Sequence, residues 1–181
     1  MKKVNFTIRL LVLLSLCPLK SFAQGTFPFL AKNKNDFLHP KQDPKIEDVY
    51  LNVNNKVIVN TGTDKQKYKA STIWGFRDKK GEEFRIYKDE DYQVLQSDVL
   101  SVYSRQAVND VQYYTGYYFS IGIDGDIYEM TEQNFINMFS DSNEKFLSLI
   151  KAYFNVLEGY SAYDSKNKSF KIVEYYKRSL K

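Results

Sequence analysis

The stretch YYTGYYFSIGIDGDIYEM, residues 113–130, carries the strongest indication of the fold. Residues 113–123 form the longest run in the chain that is typical of a β-strand. Asp124-Gly125 follows, a pair that favours a tight hairpin turn, and residues 126–130 can return as a second strand. The stretch therefore predicts an antiparallel β-hairpin.

Two more hairpins are predicted upstream of this stretch. Residues 49–53 and 56–60 flank Asn54-Asn55, and asparagine tolerates the positive φ that a tight turn requires. Residues 73–77 and 83–87 flank a turn that contains a glycine, and their apolar side chains alternate onto one face. Further short strands are predicted at residues 92–95 and 99–103.

The pattern changes from strand to helix after residue 130. Thr131 can cap a helix that runs through Phe139. Asp141 and Glu144 resemble a capping box, and the apolar residues that follow recur at helical spacing. A second helix is therefore predicted after Asp141.

A last helix is predicted to begin at Asp164 or Ser165. Its inner side would carry Phe170, Val173 and Tyr176. The predicted fold class is α+β: an antiparallel β-meander of about six to eight short strands, followed by two or three C-terminal α-helices.

The first 23 residues look like an export signal. Basic residues precede an apolar run at residues 10–16, which is too short to span a bilayer, and Ser21-Phe22-Ala23 places small residues where a signal peptidase cuts. The mature chain would begin at Gln24. A lipid anchor at Cys17 is the alternative, although Leu16 stands where lipoproteins have a small residue. The predicted localisation is the periplasm, ahead of secretion or lipid anchoring, with no integral membrane segment after cleavage.

Three segments are predicted along the chain: a signal peptide at 1–23, an extended polar leader at 24–45 and a single α+β domain at 46–181. All four prolines precede residue 45, which favours an exposed, irregular leader. Its apolar side chains are predicted to dock against the body of the domain. They are Phe27, Phe29, Phe37 and Leu38.

The charge of the chain is balanced once the signal is removed. The full chain has 26 Lys+Arg and 22 Asp+Glu residues, and residues 1–23 contain four of the basic ones and no acidic one, which leaves 22 of each. A balanced domain lacks the excess positive charge that attracts phosphate backbones, so nucleic acid is excluded as a predicted partner. The lysines around Tyr68, at positions 65, 67 and 69, are interpreted as solvated surface.

The composition also excludes several kinds of catalytic and metal site. The mature chain would have no cysteine and one histidine, His39, which lies in the leader. Thiol nucleophiles, thiolate metal sites and histidine-based triads are therefore excluded. The acids between Asp124 and Glu129 do not follow the EF-hand spacing, so a turn is favoured over a calcium loop. No metal and no cofactor is predicted.

The predicted strand at 113–123 offers the best candidate binding surface. Its second face carries Tyr114, Gly116 and Tyr118, and the glycine would leave a gap between two rings that could receive a sugar or a side chain of a partner. Trp74 is a third candidate ligand-binding residue. Packing of both tyrosines beneath a helix or the leader is the favoured interpretation of this face, because large aromatic side chains usually become buried on a sheet.

Two classes of function remain open. The favoured one is a non-enzymatic binding or structural module of the cell envelope, whose partner is a glycan, a protein or another envelope component. The alternative is an envelope hydrolase that resembles a glycosidase and uses two carboxylates across a cleft. No catalytic residue is predicted, because the spacing of acids in the sequence does not reveal their separation in space.

Three segments together resemble a known group of proteins. Ile73-Trp74-Gly75-Phe76, then Tyr117-Tyr118-Phe119-Ser120, then Ile127-Tyr128 before a threonine-capped helix are similar to exported proteins of unknown function in Bacteroidota. The resemblance covers residues 73–154 and its motifs are structural. It implies no activity and no catalytic residues.

Overall fold

The computed structural model describes residues 27–108, 113–154 and 159–181, without the side chains of residues 107, 108, 113 and 152–154. The predicted signal peptide, its cleavage site after Ala23 and the alternative anchor at Cys17 lie outside the described residues. Within the described ranges, no helix has both the length and the apolar character needed to cross a bilayer.

The largest element is an antiparallel sheet of seven strands, in the order β1-β5-β6-β7-β8-β9-β10. Six of the strands follow one another along the chain as a meander, which confirms the predicted α+β class. The seven strands are β1 (Phe29–Ala31), β5 (Gly75–Arg77), β6 (Glu83–Tyr87), β7 (Glu90–Gln96), β8 (Leu100–Val108), β9 (Tyr113–Ile121) and β10 (Tyr128–Glu129).

The segment predicted as a polar leader adds two elements to this sheet. Strand β1 pairs with β5, and the short helix α1 (Lys34–Leu38) follows it. Phe29 and Phe37 are buried, and their rings lie 5.7 Å apart, edge to face. Leu38 stays 45% exposed. The leading residues therefore complete one edge of the sheet, because their two phenylalanines bury apolar surface there.

A second, three-stranded antiparallel sheet is formed by β2 (Asp48–Leu51), β3 (Lys56–Asn60) and β4 (Lys65–Lys69). The hairpin predicted around Asn54-Asn55 forms, but β2 ends at Leu51, so Val53 belongs to a wider turn and not to the strand. Asn55 has φ 54°, and the Asn52 side chain accepts from the N–H groups of Asn54 and Lys56. The inner face of this sheet contributes Val49, Val57 and Val59 to a core that also contains Phe76 and Ile86.

The three-stranded sheet covers one end of a face of the large sheet, and three helices cover the other end of that face. They are α2 (Glu132–Phe139), α3 (Glu144–Phe154) and α4 (Lys171–Ser179). Phe119 of β9 stacks on Phe135 of α2, with ring centroids 4.4 Å apart, and Phe139 meets Phe146 of α3 edge to face. Stacked and edge-to-face rings are the favoured geometries of aromatic pairs, so phenylalanine packing joins the sheet to the helices.

One of the two predicted helix caps is confirmed. The Thr131 side chain accepts from the N–H of Asn134 at 3.2 Å and begins α2. The predicted capping box at Asp141 is wrong, because α3 begins two residues later than that pattern requires. The Asn143 side chain accepts from the N–H of Phe146 at 3.0 Å and caps this helix instead.

The predicted start of the last helix is also wrong. Tyr163–Asp164 and Ser169–Phe170 form a small hairpin, β11 and β12, and α4 begins only at Lys171. Asp164 accepts hydrogen bonds from the backbone of Lys166 and Asn167, so it caps the hairpin turn rather than a helix. Phe170, Val173 and Tyr176 are buried, as predicted.

The hairpin predicted around Asp124-Gly125 forms with a wider turn. Tyr128 pairs with Phe119, and Glu129 pairs with Tyr118, so residues 122–127 make up the connection. Gly122, with φ 65°, begins this loop. The tight two-residue turn is therefore wrong, and the loop folds back over the sheet face opposite the helices.

Candidate functional site

The three predicted site residues lie in different surroundings. Tyr114 is 46% exposed near the start of β9. Tyr118 is half-buried on the sheet face opposite the helices, with its ring 5.0 Å from that of Tyr92, edge to face. Trp74 is half-buried, 4.8 Å from the ring of Phe37. Trp74 and Tyr118 both pack against the buried cluster of Tyr92, Tyr103, Ile123 and Ile127. The role of the three residues in ligand binding stays a prediction.

The gap predicted between Tyr114 and Tyr118 is filled by Tyr118 itself. A Cβ atom at Gly116 would lie 2.9 Å from the Tyr118 hydroxyl oxygen, so the glycine makes room for this ring. Burial raises the pKa of Tyr118, and the charge of Glu129, its cross-strand neighbour, adds to the shift. Tyr118 therefore remains a neutral phenol.

The 122–127 loop is fastened over this face by a buried cation. Arg85 Nη1 donates to the Gly125 carbonyl at 2.7 Å, and Nη2 donates to the Asp124 carbonyl at 3.2 Å. Its guanidinium lies 5.4 Å from the rings of Trp74 and of Tyr87. Trp74 thus serves as one wall of the arginine site.

The acids of the loop are engaged by protein donors. The Asp124 side chain pairs with Lys34 Nζ at 2.7 Å, and Asp126 accepts from the Tyr87 hydroxyl at 3.0 Å. A metal ion at Asp124 would have to displace a lysine and lie next to the Arg85 guanidinium, which is an unfavourable place for a cation. Among the described residues, no group of three or more potential metal ligands is brought together.

The β9 strand has an edge that β10 covers only in part. Strand β10 pairs with Tyr118 and Phe119, and the Met130 N–H then donates to the Tyr117 carbonyl at 2.9 Å. Beyond that bond, towards Tyr113, the edge has no backbone partner among the described residues. An uncovered strand edge presents N–H and C=O groups that can pair with another chain.

A groove runs along this uncovered edge. Its volume is about 210 Å³, and it is lined by residues 114–117 of β9 together with Glu129, Met130, Tyr160 and Ser161. Burial raises the pKa of Tyr160 to about 12, so its phenol stays protonated at neutral pH. The groove therefore combines aromatic surface with the neutral phenol of Tyr160 and one carboxylate, that of Glu129.

The main-chain groups of Thr115 face into the groove. Along a strand, the N–H and C=O of alternate residues point to the same side. The Tyr117 carbonyl points to the β10 side, where it accepts from Met130, so the N–H and C=O of Thr115, two residues earlier, point to that side as well. Gly116, between them, points its main chain towards Arg105 of β8.

A polar strip on the helix-bearing face connects this edge to a second cavity. The Gln106 amide donates to the Thr115 hydroxyl at 2.8 Å, and the Ser104 hydroxyl donates to Gln93 at 3.2 Å. The second cavity, of about 120 Å³, is lined by Gln93, Ser104 and Gln106 together with Phe84, Arg105 and Asp91. It lies between the part of the face that the helices cover and the part that the three-stranded sheet covers.

Asp91 is the titratable group that stands out in the second cavity. Burial raises the pKa of the Asp91 carboxyl and outweighs the effect of its own backbone N–H and of the charge on Arg105. The Arg105 guanidinium is itself paired with Glu90 at 2.7 Å. Each of these two cavities has one carboxylate among its described lining residues, Glu129 in the groove and Asp91 in the second cavity.

The sequence pattern indicated Tyr114 but not the other walls of the groove. Tyr160 and Ser161 follow helix α3 and reach the β9 edge only through the tertiary fold. The sequence contains one weak indication of the polar strip: in β7, the polar residues Asp91 and Gln93 alternate with Tyr92 and Val94. Its meaning depends on the register with β8, which places Ser104 beside Gln93.

Comparison of the chain with protein-family models, with curated proteins and with solved structures finds no match. The resemblance to exported proteins of Bacteroidota therefore stays a prediction.

Proposed function

We propose that this protein is an exported, periplasmic, non-enzymatic binding module that takes an extended peptide segment of an envelope partner along the edge of β9. The observation that carries the proposal is the direction of the Thr115 main chain into a groove beside an uncovered strand edge. Addition of a strand to such an edge obtains affinity from main-chain hydrogen bonds and selectivity from flanking pockets.

The surroundings of the edge suit an extended peptide. The cross-strand spacing of a sheet is about 4.8 Å, so an added strand would lie beside residues 113–116, with Tyr160 and Ser161 as the far wall. Tyr114 and Tyr117 supply aromatic surface at either end of Thr115 and Gly116. Such rings bind apolar side chains and still offer a hydroxyl group.

The hydrolase alternative receives less support from this geometry. A paired-carboxylate mechanism needs two acids that face one cleft. The groove and the second cavity each present one among their described lining residues. The raised pKa of Asp91 is explained by burial in the sheet. We therefore propose a binding function.

The proposal is tested with Thr115→Pro. Proline removes the N–H that points into the groove, while the ladder bonds to β8 are made by the neighbouring residues, so the sheet keeps its pairing. Thr115→Val is the matched control, because it removes the hydroxyl and keeps the N–H. The probe is a displayed library of random linear peptides, enriched on the wild-type protein.

The enriched peptides should bind Thr115→Pro about tenfold more weakly than the wild type, as expected for one lost hydrogen bond at a packed edge, and should bind Thr115→Val as the wild type does. Equal affinity for the proline variant would contradict strand addition, as would failure to enrich any peptide. Hydrogen exchange provides a second measurement, since a bound peptide should protect the Thr115 amide.

A further inference from the structure

The outer face of the three-stranded sheet gathers four lysines. In the register of β3 and β4, Lys56 lies opposite Lys69, and Lys67 and Lys65 follow at alternate positions of β4. Residues at alternate positions share a face, and the opposite face is buried against the core through Val57 and Val59. The four ammonium groups therefore share the solvent side of one sheet.

These ammonium groups have no ion-pair partner within the described part of the chain. The nearest acids along the sheet, Glu47, Asp48 and Asp64, lie at the end where Asn60 pairs with Lys65. Asp48 also pairs with Lys79 at 3.4 Å. The other end of the face, around Lys56 and Lys69, therefore carries an excess of positive charge.

An apolar side chain projects from that same end. Val53, in the turn between β2 and β3, is 97% exposed, and Tyr50 on the outer face is 39% exposed. The turn that presents Val53 is held by hydrogen bonds from the N–H groups of Asn54 and Lys56 to the Asn52 side chain. Full exposure of a valine costs hydrophobic free energy, which an apolar environment would recover.

We propose that this hairpin end docks on a bilayer surface rich in anionic phospholipid headgroups. The lysines attract the headgroups, Val53 enters the boundary of the acyl chains, and Tyr50 lies at the level of the headgroups, where tyrosine is favoured. A soluble polyanion would pair with the lysines but would offer nothing to Val53. The proposal concerns a surface other than the β9 groove and stands independently of the proposed function.

Vesicle sedimentation tests the proposal with the chain from Gln24 onward, which contains every described strand and helix and lacks the apolar run at residues 10–16. The probes are vesicles of phosphatidylglycerol mixed with phosphatidylcholine, and vesicles of phosphatidylcholine alone. One variant replaces the four lysines of the outer face by glutamine, and a second is Val53→Ser. The matched control replaces four exposed lysines on other elements by glutamine: Lys145, Lys151, Lys166 and Lys168.

The wild type and the control should bind the anionic vesicles and not the neutral ones. Each lysine near the surface contributes roughly fivefold to the partition coefficient, so the four substitutions together should lower it by more than about 100-fold. Val53→Ser should lower it by several-fold with no change in binding to soluble polyphosphate.

Three results would overturn the proposal: absence of binding by the wild type, an equal loss in the control variant, or vesicle binding that is unchanged in Val53→Ser. The last result would assign the lysines to a soluble polyanion instead. Circular dichroism checks that the variants are folded, and exposed lysine-to-glutamine changes leave the packed face of the sheet intact.

Discussion

Replacement of Arg85 by methionine tests whether a buried cation fastens the 122–127 loop to the sheet. Arg85 is 5% exposed and donates to the carbonyls of Asp124 and Gly125. Its guanidinium also contacts the faces of Trp74 and Tyr87. None of the ion pairs among the described residues involves Arg85, so its hydrogen bonds and ring contacts have to compensate for the burial of its charge.

The expected loss follows from these contacts. Hydrogen bonds from a charged group contribute about 1.5–3 kcal/mol each, so the two bonds to the loop are worth about 3–6 kcal/mol. The two ring contacts add about 1–2 kcal/mol. Methionine recovers several kcal/mol because no charge is then buried. The free energy of unfolding should fall by about 2–4 kcal/mol, which lowers the Tm of a domain of this size by about 5–15 °C.

Urea unfolding measures the change in stability, and hydrogen exchange measures protection of the loop amides. Arg85→Lys is the control: it keeps the charge but loses the planar group that lies against the rings, so an intermediate loss is expected. A methionine variant as stable as the wild type would refute the reasoning, because desolvation would then outweigh the bonds. A destabilised variant whose loop amides exchange at the wild-type rate would refute the fastening role.

Two further predictions concern the helices. Asn143→Ala should lower the free energy of unfolding by about 1 kcal/mol through loss of the α3 cap, whereas Asp141→Ala should leave it unchanged in chemical denaturation; the reverse order would contradict the assigned cap. For Asp98, burial is the largest single influence and raises the pKa, but the hydrogen bond and charge of Lys177, together with hydrogen bonds from the Val99 N–H and from Gln96, outweigh it and lower the pKa. Because the folded pKa lies below the unfolded one, the pair should stabilise the fold by up to about 1 kcal/mol at neutral pH, and this contribution should disappear as the pH falls below about 4. In pH-dependent unfolding, Asp98→Asn should lack this part of the acid limb, and an unchanged limb would contradict the pairing.

Several strands and two turns were predictable because their signals are local, whereas β1, β4 and the hairpin of β11 and β12 were not predicted. The turn at Asn54-Asn55 and the glycine turn before β6 depend on residues that adopt positive φ, and Asn55 and Gly81 do so. Thr131 was identified as a helix cap because capping, too, depends on the chemistry of residues close together in the sequence. Where two capping residues compete within a few positions, as Asp141 and Asn143 do, the sequence offers no basis for choosing, because the choice depends on where the helix packs.

The wider turn after β9 shows how a distant contact changes a local preference. Asp124-Gly125 alone favours a two-residue turn. In the fold, the carbonyls of these residues are bound by Arg85, which lies about 40 positions earlier in the chain, and the loop extends to reach it. The beginning of α4 was misjudged in the same way, since Asp164 caps a hairpin whose partner strand follows it.

The candidate groove depends on contacts that no local pattern contains. Alternation along residues 113–121 indicated two faces of a strand, and Tyr114 was singled out on that basis. Which edge of β9 stays uncovered depends on the length of β10 and on the position of Tyr160, which the chain reaches only after α3. The filling of the Gly116 gap by Tyr118 likewise depends on side-chain packing.

The spacing of apolar residues and the turn-forming residues were enough to predict an antiparallel meander followed by helices. The composition shows that residues 46–181 contain neither cysteine nor histidine. These properties are carried by neighbours in the chain, and backbone sterics translate them directly into local geometry. The groove at Thr115 and the contacts of Arg85 with the 122–127 loop arose only when distant segments packed together. They depend on burial and pairing between residues tens of positions apart, and those energies do not exist until the chain has folded.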